Sequence, residues 1–387
     1  MNVAGIVSEY NPFHNGHRYM VEQVREKGAT HIVAVMSGAL VQRGEVAVFD
    51  KHYRAKMAVQ NGVDLVIELP CPYSCSSGEI FARSAIGILA GLGKGVVDSI
   101  AFGCESDDIS LLRSCAEATS ELKDSDLVRE KLSKGMSYPK AVSQTVGEQF
   151  GIDVAQVLER PNNTLAVEYI KASAELMPYA DFIPIKRQYA EHDSDVVSSG
   201  TASASHIRAL LRAGENAEEF CPYPIKDTPT FSIRNAEREI LFRLACAEKA
   251  ELEQIFDCSS ELADRIIKAM SQCPQNCDEF YSLCKSRNIT LARLRRIVMH
   301  LVVGAVGSDI ALPPFARVLA FNRSGAQVLA KCGGCLPIDT SLKALESTSD
   351  YAKRIVKLEN NAVSFQSLCA DGDYRPRNEF KRKTVIS

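Results

Sequence analysis

The sequence has no run of about 18 apolar residues, the length that a membrane-spanning helix needs, so no membrane span is expected. It has no basic leader either. Met1–Val7 carries neither lysine nor arginine and reads as a first strand, not a signal peptide. A strong charge bias is also missing, the formal net charge being −3 over 387 residues. Any basic surface for a polyanionic partner therefore has to be local. No internal repeat is visible. Cysteine, by contrast, is plentiful: the thirteen cysteines are scattered without a disulfide-like pattern, which argues for reduced thiols and a cytoplasmic location. Two close pairs stand out, Cys273 with Cys277 and Cys332 with Cys335. Together they would make four zinc ligands only if distant segments met, and loop or buried thiols are the plainer reading, so no metal is assigned.

A chain of this length is expected to divide into two domains. Up to about residue 210, short apolar runs alternate with helical patterns ended by glycine or proline. The runs Val3–Ser8, His31–Met36, Val63–Leu69, Val97–Phe102 and Phe182–Lys186 read as buried parallel strands. His17–Glu26, Lys51–Asn61, Glu79–Leu92 and Ile109–Leu122 read as helices. This alternation predicts an α/β fold, a Rossmann-like doubly wound parallel sheet with its ligand beyond the carboxyl ends of the strands. After Cys221-Pro222-Tyr223-Pro224 the pattern turns helical: 235–250, 251–256, 260–271, 277–287 and 291–303. The expected organisation is a ligand-binding domain over 1–215, an all-α domain over 225–370 and a loose basic tail over 371–387.

The segment Val7-Ser8-Glu9-Tyr10-Asn11-Pro12-Phe13-His14-Asn15-Gly16-His17 leaves the first strand, turns at Asn11-Pro12 and enters a helix near Gly16. His14 and His17 are three residues apart, so at a helix start they share a face. Gly16 lets a ligand approach the backbone. The helix terminus adds free N–H groups and a positive dipole end. Two imidazoles beside such a terminus form a cradle for nucleotide phosphates and can stabilise charge building on an α-phosphate. A carboxylate or phosphate nucleophile would then need no general base. The alternatives are ordinary surface or core histidines, or a zinc site that has no further ligand nearby.

A His-x-Gly-His turn after a first strand resembles the nucleotidyltransferase superfamily. The wider text is more specific. Gly5–His17, Met36-Ser37-Gly38, Val41–Glu45, Arg54–Ala58, Asn61–Pro70, Phe102-Gly103, Pro161-Asn162-Asn163 and Glu168–Lys171 closely resemble the bacterial tRNA(Met) cytidine acetate ligase family, with a weaker continuation through Ile289–Arg296. The resemblance implies a nucleotidyltransferase-type fold with a C-terminal helical domain that binds tRNA. It implies that ATP and acetate form acetyl-adenylate, and that the acetyl group passes to N4 of the wobble cytidine of elongator tRNA(Met). ATP is the implied nucleotide, with magnesium as a candidate companion; no protein partner is implied.

On that resemblance the ATP site comprises Val7, Glu9, Tyr10, Asn11, Pro12, Phe13, His14, Asn15, Gly16, His17, Met20, Gly103, Asn162 and Arg187. Each of the last three also has a role of its own to offer: bare backbone at a strand end for Gly103, an amide for an adenine edge or a helix cap for Asn162, and a bidentate fork for phosphate in Arg187. Ser205 and Arg208, at the start of a later helix, resemble an element for the β and γ phosphates. Ser37 is expected to border the acetyl pocket, as a third catalytic residue beside His14 and His17. In two places the chain departs from the family pattern: Arg187-Gln188-Tyr189-Ala190-Glu191-His192-Asp193 lacks the glycines expected there, and Thr290-Leu291-Ala292-Arg293 keeps its charge but loses a second hydroxyl.

For nucleic acid, Lys285, Arg287, Arg293, Arg295 and Arg296 cluster near His300, and Arg375, Arg377, Lys381, Arg382 and Lys383 crowd the tail. Lys51 and Arg54 share a helix face and are candidates to neutralise triphosphate or tRNA. A solvated face is the alternative for all of them. Two rival functions remain: a small-molecule adenylyltransferase of the pyridine-nucleotide or pantetheine-phosphate type, and a tRNA-binding protein with an inactive nucleotide site. A class I aminoacyl-tRNA synthetase is disfavoured because no Lys-Met-Ser-Lys-Ser loop is present.

Overall fold

A computed structural model describes residues 1–187, 200–286, 288–372, 374 and 378–386. The first half alternates strand and helix: β1 (Val3–Ser8), α1 (Asn15–Glu26), β2 (His31–Ser37), the hairpin β3 (Leu40–Val41) and β4 (Glu45–Val46), α2 (Lys51–Gln60), β5 (Leu65–Leu69), α3 (Gly78–Gly91), β6 (Ser99–Cys104) and α4 (Ile109–Leu122). Three short helices follow, α5 (Asp126–Ser133), α6 (Tyr138–Phe150) and α7 (Ile152–Gln156), then the long α8 (Pro161–Leu176), β7 (Asp181–Lys186) and α9 (Ala204–Arg212). The helical stretch is α10 (Glu237–Ala245), α11 (Lys249–Gln254), α12 (Ser260–Met270), α13 (Cys277–Cys284) and α14 (Leu291–Val303). The chain ends with β8 (Ala316–Phe321), α15 (Arg323–Lys331), β9 (Ile338–Asp339), α16 (Leu342–Glu346), α17 (Asp350–Leu368) and β10 (Val385–Ile386). No helix is long and apolar enough to cross a membrane among the described residues.

The main sheet runs β10-β8-β5-β2-β1-β6-β7, with β9 alongside β8. From β5 to β7 all neighbours are parallel, whereas β8 pairs antiparallel with β5. Strands alternate their side chains between two faces. Val33, Val35, Leu65 and Ile67 face one core, Ile32, Ala34, Met36 and Val66 the other. The first core continues without a break into Phe280, Leu294 and Leu358 of the helical region. β1 steps outward through β2 to β5, while β6 and β7 build the other way. The order therefore reverses between β1 and β6, the place where open α/β sheets bind ligands.

Two expectations are corrected. Residues 225–370 are mostly helical but also supply β8 and β9 to the sheet. The tail is not loose in its described part, since Val385 and Ile386 pair with Ala320 and Phe321 and Glu379 is buried. Glu379 belongs to a buried charge cluster. Lys51 Nζ lies 2.6 Å from Glu68, 2.9 Å from Glu359 and 3.1 Å from Glu379, and Arg317 lies 3.2 Å from Glu68 and 2.8 Å from Glu379. His52 adds a contact of 3.3 Å to Glu379. The three carboxylates hold Lys51 protonated against its burial. Glu359 also accepts backbone N–H groups from Ala39 (3.2 Å) and Cys71 (2.7 Å), so the cluster fixes the loops that follow β2 and β5.

Removing one partner of a buried ion pair strands the others without compensation. Glu379→Ala is expected to lower stability by about 3–5 kcal/mol, read as a fall in the urea midpoint. Glu175→Ala, on an exposed ion pair with Arg83, is expected to change it by less than about 1 kcal/mol.

Candidate active site

The turn between β1 and α1 is held from below by two guanidinium groups. Arg54, fully buried, donates to the carbonyls of Glu9 (2.6 Å), Phe49 (3.1 Å) and Gly38. Arg208, on α9, donates to the Asn11 carbonyl at 2.8 Å and to Ser205 Oγ at 3.2 Å. Tyr223 donates its hydroxyl to the Phe13 carbonyl at 2.8 Å, and the Asn11 side chain accepts from Val48 N–H at 2.8 Å. These donors satisfy carbonyls that neither strand nor helix can pair. They also keep Tyr10 in the left-handed region, φ 43°, which a residue with a Cβ enters only at a cost.

His14 is the N-cap of α1. Its Nδ1 accepts from Gly16 N–H at 3.0 Å, and its own N–H donates to His17 Nδ1 at 3.2 Å. With both Nδ1 atoms accepting, each neutral ring carries its proton on Nε2. The rings stack at a centroid distance of 3.9 Å, and Tyr10 meets His17 edge-on at 5.0 Å. Burial, then Arg187 and Arg208, lower the His14 pKa to about 3. Burial, then His14 and Arg187, hold His17 well below the usual range, with the Pro12 carbonyl opposing. The pair is therefore uncharged at neutral pH and offers N–H donors rather than a second positive charge. Gly16 is required sterically, because a Cβ there would stand 2.8 Å from the His14 ring.

Both rings line a cavity of about 330 Å³ at the β1/β6 reversal, within the size range of small-molecule sites. Four helix N-termini reach its wall: α1 at His14, α3 at Gly78, α8 at Pro161 and α9 at Ala204, so backbone N–H groups and dipoles favour an anion there. At the mouth, Arg187 donates to Asn162 Oδ1 at 3.0 Å, and Asn162 donates to Glu105 at 2.6 Å. Glu105 in turn accepts from the N–H of Asn163 at 2.9 Å. Asn162 thus neither caps α8 nor hangs free; it braces Arg187. Gly103, at the end of β6, leaves bare backbone in the wall, and a Cβ there would meet Arg187 at 3.5 Å.

Of the residues named from the sequence, Val7, Glu9, Tyr10, Asn11, His14, His17, Met20, Gly103, Asn162, Arg187, Ser205 and Arg208 line this one cavity. Pro12, Phe13, Asn15 and Gly16 build the turn behind it; Asn15, for example, donates to the carbonyls of Gly200 (2.7 Å) and Glu219 (3.0 Å). Other expectations fail. Ser37 is fully buried at the end of β2, does not reach the cavity wall, and its hydroxyl has no partner. Lys51 and Arg54 are 1% and 0% exposed, so neither can meet triphosphate or tRNA. Arg295 pairs with Glu45 at 2.8 Å and lies over the Tyr281 ring. Arg293 pairs with Asp257 at 3.1 Å, and Arg296 reaches the Gln42 carbonyl. These three arginines fasten α14 to its neighbours, while Lys285 is exposed. Arg287, Gln188–Asp193, Arg375 and Arg377 lie outside the described residues. Among the described residues no three metal-ligating side chains converge, and all thirteen cysteines are unpaired.

A family model for HIGH nucleotidyl transferases matches residues 1–381. A tRNA(Met) cytidine acetate ligase of Staphylococcus haemolyticus is 36% identical over 336 residues, covering 85% of this chain and 86% of that protein. Its counterpart from Syntrophotalea carbinolica is 35% identical over 387 residues, covering 93% and 91%. The chain belongs to the tRNA(Met) cytidine acetate ligase family of HIGH nucleotidyl transferases. The crystal structure of Thermotoga maritima TmcAL bound with alpha-thio ATP superposes with a TM-score of 0.90 at 28% identity, covering 100% of this chain and 99% of that one. The fold is that of this family.

Sequence reasoning did not assign a site role to Gly78, Phe81, Leu165, Glu168, Tyr169 or Ser203, all of which line the cavity. The signal for Ser203 and Gly78 was the serine that caps each helix; a cap residue marks a terminus with free N–H groups. The depressed histidine pKa values set a pH dependence. Protons enter the unfolded imidazoles below about pH 6.5, while the folded rings resist them, so stability falls as pH drops toward 3. The expected slope is about 1.4 kcal/mol per pH unit for each such ring. Ring nitrogen NMR at pH 5 is expected to show both histidines as neutral Nε2–H tautomers; imidazolium shifts there would contradict the geometry.

Proposed function

We propose that the protein activates acetate with ATP and acetylates N4 of the wobble cytidine of elongator tRNA(Met). The observation that carries this reading is the stacked, neutral His14–His17 pair at the N-terminus of α1, set in an anion-favouring cavity at the sheet's reversal point. In the first step an acetate oxygen attacks the α-phosphorus of ATP and pyrophosphate leaves. Acetate is already a nucleophile, so this step calls for positioning and charge stabilisation and not for a base. The Nε2–H groups of His14 and His17 and the positive end of the α1 dipole serve the α-phosphate. The N-terminus of α9, with Ser205 and Arg208, serves the leaving phosphates together with Arg187. Gly103 gives the nucleoside a flat backbone surface. In the second step the cytosine N4 attacks the acetyl carbonyl carbon and AMP leaves.

The wobble base has to be splayed from the anticodon stack to reach such a cavity. Exposed Lys285 is one candidate phosphate contact. A second surface is the cleft of about 380 Å³ that Lys353, Lys357, Asn360 and Phe380 line beside α17. Glu346 and Asp350 also line it, and its ammonium groups beside a half-exposed aromatic ring are what RNA binding uses. The unpaired thiols support a cytoplasmic site of action.

The test is purified protein with ATP, acetate and tRNA(Met), followed by nucleoside mass spectrometry. Acetylcytidine is the expected product. Pyrophosphate release with a mononucleotide substrate and no tRNA product would favour a small-molecule adenylyltransferase instead. His14→Ala and His17→Ala are each expected to slow acetate-dependent pyrophosphate exchange on the order of 10²–10³-fold, with tRNA affinity nearly unchanged. A variant with full turnover would remove that residue from the mechanism.

A further inference from the structure

The acetyl-transfer step leaves one proton unassigned. A cytosine N4 has its lone pair delocalised into the ring, so the nitrogen becomes an effective nucleophile only as one of its protons departs. The leaving AMP departs as a stable phosphate anion and has no need of that proton at neutral pH. A base within the cavity is therefore required by the chemistry, and neither histidine is placed for it: each ring has its Nδ1 committed to the α1 cap and presents a donor, not an acceptor.

Two carboxylates line the cavity among the described residues, Glu9 and Glu168. Glu9 follows directly on β1 and accepts the Gln42 N–H at 2.9 Å, so it braces the turn beneath the histidines. Glu168 is different. It lies on α8 six residues beyond Asn162, which at a rise of about 1.5 Å per residue places it about 9 Å further along the helix axis. Its neighbourhood is the start of α3: a Cβ on Gly78 would lie 4.0 Å from Glu168 Cγ, 4.0 Å from Leu165 and 3.6 Å from the Gln42 amide. Phe81 lines the cavity as well. This lining is partly apolar, which suits an unstacked pyrimidine.

We infer that Glu168 is the general base of acetyl transfer, taking the proton from the cytosine N4 as that nitrogen bonds to the acetyl carbon. This rests on the ligase reading above. The step balances: the N–C bond forms, the acetyl C–O bond to AMP breaks with its electron pair leaving on AMP, and the N4 proton moves to a Glu168 oxygen. Lys171 Nζ stands 3.0 Å from that carboxylate, with both side chains 18% exposed, and provides the contact that orients it. Burial lifts the Glu168 carboxyl above the usual carboxylate range, with Lys171 opposing, which makes it a better proton acceptor than a solvated glutamate. No phosphate role falls to Glu168, because a carboxylate repels a triphosphate.

The experiment separates the two half-reactions. Adenylate formation is read as acetate-dependent exchange of pyrophosphate into ATP, and transfer as single-turnover formation of acetylcytidine from preformed acetyl-adenylate. Glu168→Gln keeps the shape and removes the base. Its exchange rate is expected within about threefold of the unaltered protein, with transfer slowed at least about 100-fold and no longer rising with pH. Glu168→Asp, which keeps a carboxylate, is expected to recover part of the transfer rate and its pH dependence. Transfer by Glu168→Gln at the unaltered rate overturns the assignment. So does an equal loss of exchange and transfer in both variants, which marks a structural role. If the unaltered protein exchanges pyrophosphate but yields no acetylcytidine, the ligase reading itself falls and this assignment with it, an outcome distinct from failure of the variant alone.

Discussion

The whole site depends on satisfying the main-chain carbonyls of one turn. Between β1 and α1 the backbone leaves the sheet, passes through a left-handed Tyr10 and enters a helix within a few residues. Its carbonyls at Glu9, Asn11 and Phe13 have no partner in regular structure. Arg54, Arg208 and Tyr223 supply the donors from three separate parts of the chain. An unpaired buried carbonyl costs about 1–3 kcal/mol, so without these donors the turn would relax and the imidazoles would lose their alignment. The same logic extends outward. Glu359 accepts N–H groups from the loops after β2 and β5, and is itself held by Lys51 in a cluster that Arg317 and Glu379 complete. The far end of the chain thus stiffens the floor of a site built by its beginning.

The electrostatics of the cavity follow from neutrality rather than from accumulated charge. Two imidazolium ions in contact at 3.9 Å beside Arg187 and Arg208 would repel one another strongly in a poorly solvated pocket. Keeping the rings neutral, with Nδ1 capped and Nε2–H presented, gives the donor geometry without that cost. The attraction for an anion then comes from helix N-termini and from two guanidinium groups whose charge is permanent. A carboxylate six residues beyond Asn162 on α8 completes a division of labour: donors for the phosphates, an acceptor for the proton that has to leave.

Much of the α/β half was legible in the sequence because its signals are local. Five apolar runs became the five parallel strands with shifts of a residue or two at their ends; four are buried, since a strand buried on both faces reads as a continuous apolar stretch, while β7 lies at the sheet edge with only Ile185 buried. Three sheet partners were not legible: β8 sits among helices, and β9 and β10, of two residues each, are too short to carry a pattern. Lys51 and Arg54 were misread for a related reason. Their helical spacing shows that they share a face but not what covers that face, and here α17, β8 and the tail do. Arg293, Arg295 and Arg296 look like a basic patch only until Glu45 and Asp257 are seen beside them.

By itself the sequence determined the kind of sheet, the position of the His-x-Gly-His turn at a strand end, and the family, because periodicity, caps and motifs act over a few residues. The tertiary structure alone decided which charged groups are buried and internally paired, and which carboxylate faces the cavity. Those outcomes depend on contacts between residues tens to hundreds of positions apart, and such contacts leave no periodic trace in the chain.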